Sequence, residues 1–168
     1  MATSLMEDAF AHHIWATLEL IDACAPLSDD QLATPVPGTY GSIVETMRHT
    51  VGSDRSYLLS LGEELEPFDR DAADLVALRA AMEAQGVAWL RLLTEDTDAD
   101  RVVVRRHDDG WVTHATVGIR LAQAIHHGTD HRSQICTALT SLGIEPPEID
   151  VWAFGEGVGR VVDEPPAG

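Results

Sequence analysis

The stretch His126-His127-Gly128-Thr129-Asp130-His131-Arg132-Ser133-Gln134 holds the densest set of histidines in the chain. His127 and His131 are four residues apart, so on a helix their rings project from the same side. Two imidazoles on adjacent turns can grip one metal ion. A third ligand is then needed for a catalytic site that keeps a coordination position open. The pair falls on one flank of an apolar stripe made by Val117, Leu121, Ala124, Ile135 and Leu139. Arg120, Gln123 and Gln134 run along that same flank, and His126 points to the other side. By spacing alone, two solvated or core histidines explain the pattern as well as a metal does.

The other candidates for chemistry weigh less. His13 falls on the apolar side of the first helix, as a satisfied core histidine or a group lining a cleft. His12, His107 and His114 read as surface or loop residues. Arg132 reads as structural, paired with an acidic neighbour. Trp15, Trp89, Trp111 and Trp152 read as core rather than ligand-stacking residues. Cys24 and Cys136 sit in apolar helical stretches with no Cys-x-x-Cys spacing, which suits two buried free thiols. All basic residues are Arg, which excludes Schiff-base lysine chemistry.

Four amphipathic helices must position these residues. The first opens at a capping box, Ser4-Leu5-Met6-Glu7. It carries Met6, Phe10, Ile14, Thr17, Ile21 and Cys24 at helical spacing and ends at Pro26. A turn at Ser28-Asp29-Asp30-Gln31 and a breaker-rich loop, Thr34-Pro35-Val36-Pro37-Gly38, follow. A second capping box, Ser42 to Glu45, starts a helix that runs to about Leu61, where Gly62 suits the C-terminal cap. An acidic linker from Glu63 to Asp71 leads to a third helix over about Asp74 to Leu93. Val102-Val103-Val104, the turn signal Asp108-Asp109-Gly110 and Trp111-Val112 predict a short hairpin or extended crossover. The fourth helix is expected from about Thr113 to Leu142, stopped by Gly143 and Pro146-Pro147, with one more short helix after Glu148. The expectation is an all-α four-helix bundle, one domain over residues 1–168, with long connections between helices one and two and between three and four.

Composition narrows the function. A net charge of -17 argues against nucleic acid and against anionic membrane surfaces. No apolar run approaches the roughly 20 residues that span a bilayer. Met1-Ala2-Thr3-Ser4 does not open a signal peptide, so a cytoplasmic protein is expected.

Several further features occur in a characteristic order. Met47-Arg48-His49-Thr50-Val51-Gly52-Ser53-Asp54-Arg55 lies mid-way along the second helix. His127-Gly128-Thr129-Asp130-His131-Arg132-Ser133-Gln134 lies on the last long one. Leu142-Gly143-Ile144-Glu145-Pro146-Pro147-Glu148-Ile149-Asp150 comes behind it, and Trp15 with Leu27-Ser28-Asp29-Asp30-Gln31-Leu32 stands near the start. Over roughly Ala9 to Phe154 the chain resembles the DinB-like superfamily. The resemblance implies a four-helix bundle of DinB/YfiT-like type. It also implies a divalent metal (zinc, nickel or iron) on three histidines that map to His49, His127 and His131. Ser133 stands in place of the usual glycine, and Gln123 where many members carry a further histidine.

The implied activity is that of a metal-dependent enzyme acting on a small molecule. It would activate a low-molecular-weight thiol, in a transferase of the bacillithiol- or mycothiol-dependent kind, or water, in a hydrolase. The alternative is a metal- or small-molecule-binding bundle without turnover. Glu45, Glu148 and Asp150 are the candidate general bases. A homodimer is expected, partly from the family and partly because four short helices leave tryptophans to bury. One tension stands in the pattern. On the helical wheel His49 lies opposite Met47, Val51 and Leu58 and beside Glu45, Thr46, Ser53 and Ser56, which marks it as a surface residue. If it is a ligand, that polar side lines a cleft, where Glu45 or Ser53 could orient its ring.

Overall fold

The computed structural model of the protein describes residues 5–94 and 98–164. The capping box expected at Ser4 involves a residue outside that set. The chain forms six helices and a two-stranded hairpin among the described residues. The long helices are α1 (Leu5–Cys24), α3 (Ile43–Leu61), α4 (Leu75–Thr94) and α5 (Val117–Ser141). Two short ones, α2 (Asp29–Ala33) and α6 (Val151–Gly157), sit in the connections, and strands β1 (Val102–Arg106) and β2 (Val112–Thr116) precede α5.

Local signals account for most of these boundaries. Ser42 and Glu45 form the reciprocal capping box at the start of α3, and Gly62 closes the helix with φ of 102°. Ser28 and Gln31 form another at α2, where the sequence suggested only a turn. The fourth long helix starts later than its pattern implied. Thr113 to Thr116 belong to β2, which pairs antiparallel with β1, and Thr116 then caps α5. Gly110, at φ 88°, supplies the left-handed turn residue of the hairpin.

The long helices form a closed ring. α1 packs on α4 and α5, and α3 packs on the same two, so α1 and α3 take diagonal corners. α4 and α5, consecutive along the chain, are diagonal as well. The two long connections anticipated from sequence are the ones that cross these diagonals.

The core divides into two apolar layers. One gathers Leu20, Ile21, Met47, Val51, Leu78, Met82, Ile135 and Leu139; the other gathers Phe10, Leu58, Trp89, Leu92, Val117 and Leu121. A fully buried aliphatic side chain of this kind contributes about 1.5–3 kcal/mol. Between them each helix supplies a buried polar residue: His13 and Thr17 from α1, Asp54 from α3, Gln85 from α4 and Arg132 from α5. This polar stratum lies at the level of His127 and His131. Two tryptophans depart from the core expectation: Trp111 is 75% exposed and Trp152 67%. Cys24 is buried and Cys136 half-buried, both as free thiols. Among the described residues no helix is long and apolar enough to cross a membrane.

Candidate metal centre

α3 and α5 pack against each other, and that contact brings the three histidines together. His49 comes from the second turn of α3, His127 and His131 from the middle of α5. One nitrogen from each lies within 4.8 Å of the others. The Nε2 atoms of His49 and His127 are 3.0 Å apart. An ion bound tetrahedrally at about 2.0–2.1 Å holds its nitrogen ligands about 3.3 Å apart. Small ring rotations would bring the cluster to that spacing.

The outer nitrogens complete the picture. Gln134 Oε1 accepts from His131 Nδ1 at 3.1 Å, which leaves Nε2 free to face the other imidazoles. The same oxygen accepts from the Tyr40 backbone N–H at 2.9 Å, and Gln134 Nε2 donates to Asp130 at 3.2 Å. His127 Nδ1 is buried and has no hydrogen-bond partner among the described residues. Tyr40 stacks on His49 with centroids 4.1 Å apart and meets His131 edge-on, while Tyr57 stands edge-on to His127.

Electrostatics favour the ligating form of His127 and His49. Burial, then the neighbouring His131 and His49, pushes the His127 pKa down to about 4. Burial, then His131 and Arg70, lowers that of His49. Neutral imidazole is the metal-binding state, so the donor set suits a divalent ion.

His49 is therefore half-buried in a cleft rather than a free surface residue. The polar side of α3 is the side that meets α5 and the Tyr40 loop. Neither residue suggested to orient its ring does so here: Glu45 is held by the Ser42 backbone and hydroxyl, at 2.8 Å each. His126 is exposed on the far side of α5. The candidate bases Glu148 and Asp150 lie elsewhere, Asp150 capping α6.

Behind the cluster sits a network the sequence showed only in part. His13 is fully buried, with Nε2 2.6 Å from Asp54 Oδ2. Arg132 Nη1 donates to His13 Nδ1 at 3.0 Å. An acceptor at Nδ1 fixes the proton on Nε2, which donates to Asp54. Trp89 Nε1 also donates to Asp54 Oδ2, at 3.3 Å. Arg132 thus reaches its acidic partner through an imidazole, not directly as expected. Gly128 permits this approach: a Cβ there would lie 2.3 Å from His13 Cε1. His12, expected at the surface, is half-buried with Nε2 on the Ile149 carbonyl. Tyr40 gave no sequence signal because it lies in an irregular loop. Gln134 was visible on the right flank, but its partners come from the loop and from the tautomer of His131.

A polar cavity of about 410 Å³ opens beside His49, lined by Tyr40, Glu45, Arg48, Arg70 and Asp71. It offers room for a small substrate next to the histidines.

A model described as the DinB family matches residues 1–159. Among solved structures the chain is similar to YfiT from Bacillus subtilis, described as a probable metal-dependent hydrolase with an unusual four-helix bundle topology. The two share 22% identity and a TM-score of 0.62, over 86% of this chain and 92% of that one. No curated protein matches the chain.

Proposed function

This chain belongs to the DinB family, and from that premise we propose that His49, His127 and His131 together hold one divalent transition ion for chemistry on a small electrophile. The observation that carries this is the convergence of three imidazole nitrogens within 4.8 Å. Bound there, the ion would supply positive charge at an open position, which lowers the pKa of a coordinated thiol or water.

The chain's own residues do the rest. His131 is oriented by Gln134, and His49 is held in place by the stacked ring of Tyr40. Arg48 and Arg70 line the cavity beside His49 together with Glu45 and Asp71, so a substrate there meets both signs of charge. The nucleophile comes from solution: Cys24 is buried, with its pKa pushed up to about 12, and neither cysteine belongs to the cluster. Glu45 and Asp71 are engaged with Ser42 and Arg70. A thiol needs no general base, because coordination deprotonates it. This favours transfer of an external low-molecular-weight thiol: its S–H proton would pass to solvent, its sulfur would bond to the electrophilic carbon, and the bond from that carbon to the leaving group would break, the leaving group departing as an anion with the electron pair. Hydrolysis is the second reading, favoured by the description of YfiT as a probable metal-dependent hydrolase.

The test is a paired assay on metal-loaded protein. A panel of low-molecular-weight thiols is offered an activated aryl chloride, and activated esters are offered water. Metal-dependent thioether formation supports the first reading. Ester cleavage without conjugation replaces it with the second. Full metal loading with neither activity leaves a binding protein and refutes the enzymatic reading. The proposal extends to a homodimer, supported by the exposed apolar surface of Val102, Val104 and Trp111 on the hairpin and Ile119 beside it. Sedimentation showing only monomer at micromolar concentration would overturn that part.

A further inference from the structure

A second cavity, of about 730 Å³, lies between α5 and α6. Its size is within the roughly 300–1,000 Å³ of small-molecule sites. Its walls are apolar, formed by Ile125, Ile149, Trp152, Phe154 and Val161. None of the three clustered histidines lines it. α6 packs on α1, and the chain beyond it turns back so that the Val161 N–H donates to the Gly155 carbonyl at 3.0 Å. That return frames the gap on its outer side.

Two cations line this cavity: Arg160, paired with Asp8, and Arg132, which reaches it from within the core. Arg132 is 3% exposed and lines it. Its Nη1 donates to His13 Nδ1, the His13 carbonyl and Thr17 Oγ1, and its Nη2 to Thr129 Oγ1. These bonds occupy Nη1 and one hydrogen of Nη2. Among the described residues Nε–H and the second Nη2 hydrogen have no partner, and no carboxylate pairs with the guanidinium directly. Arg132 lines the cavity, and its Nε is not among the fully buried polar atoms without a partner. The Nε–Nη2 edge is a parallel pair of donors that matches a carboxylate side-on. The cavity's own acids are already used: Asp8 pairs with Arg160, and Asp150 caps α6.

An apolar chamber with one open guanidinium edge selects for an apolar body bearing a single negative group. We propose that the α5–α6 cavity binds a small monocarboxylic acid, its carboxylate on the Nε–Nη2 edge of Arg132 and its hydrocarbon part among Ile125, Trp152 and Phe154. This site is separate from the histidine cluster and does not depend on its function.

Octanoate and its neutral counterpart octanamide are suitable probes on the metal-loaded protein. Cys136 lines the cavity, whereas Cys24 is fully buried, so alkylation of Cys136 by iodoacetamide reports occupancy. Octanoate is expected to slow that alkylation at least tenfold at saturation. It should also bind about tenfold or more tightly than octanamide, as a charge-assisted pair of hydrogen bonds implies. Arg132→Lys keeps the charge but loses the fork, and should narrow the preference for octanoate over octanamide without abolishing it. Arg132 is buried and its replacement puts the fold at risk, so Ser133→Trp provides the second arm. Ser133 is exposed and lines the cavity, and the indole should block both probes while metal content stays unchanged. The proposal is overturned if octanoate fails to bind, if octanamide binds as well as octanoate to the unaltered protein, or if Ser133→Trp still binds octanoate normally.

Discussion

Replacing His49 by alanine separates the two readings of that residue most sharply. Structural zinc sites with four ligands are worth about 10–16 kcal/mol, so one ligand contributes about 3 kcal/mol, or on the order of 100-fold in affinity. At a metal concentration 100 times the original Kd, binding stabilises the native protein by about 2.7 kcal/mol. With Kd raised 100-fold the same concentration gives only about 0.4 kcal/mol. The difference, about 2.3 kcal/mol, amounts to roughly 5–9 °C in Tm for a chain of this size. The metal-free variant should melt close to the metal-free parent. His49 is half-buried, and its ring contacts are Tyr40, His127 and His131, outside both apolar layers. Metal titration against a competing chelator, with thermal melts in the presence and absence of the ion, measures both quantities. A His49→Ala protein that holds a full equivalent at unchanged affinity would refute the three-histidine assignment.

Three further outcomes are expected. Gln134→Leu removes the acceptor at His131 Nδ1 and should weaken metal binding about 10–100-fold by chelator competition, with the metal-free Tm little changed; equal affinity would show that the bond does not set the tautomer. Gly128→Ala gains about 1 kcal/mol of helix propensity but drives a methyl into His13, which is buried and bonded at both nitrogens, at an overpacking cost of about 1–3 kcal/mol. Its Tm should fall, and a higher Tm would contradict the contact. In the metal-free protein, the folded His127 pKa of about 4 lies below the unfolded value of about 6.5. The unfolded chain therefore binds more protons between those values, so stability is full above pH 6.5 and is lost as pH falls toward 4. Urea midpoints that stay flat across that window, or that fall equally in His127→Gln, would count against this.

How much was legible depends on how local each cause is. The capping box at Ser42 and Glu45 and the stop at Gly62 are decided within one helical turn, and they stand as expected. The shared direction of His127 and His131 follows from helix geometry alone. The hairpin was marked by Gly110 and the β-branched run before it, yet its second strand took Thr113–Thr116 from the expected helix. Helical periodicity cannot see that β1 lies alongside to pair with those residues.

What the sequence by itself determined was the four long helices, their apolar stripes and two of the three clustered histidines. Each of these rests on neighbours within a few residues. The tertiary structure decided the rest, because it depends on partners far along the chain. The helical wheel put His49 on the polar side of α3; only the packing of α5 and the Tyr40 loop against that side makes it a cleft. Asp54 drew no attention in the sequence, and only the ring of four helices places it on His13, 41 residues away. Arg132 was expected to find an acid nearby. Its placement opposite α1 gives it His13 instead, on a residue that also lines the α5–α6 cavity, because a guanidinium's partners are set by which helix lies across from it.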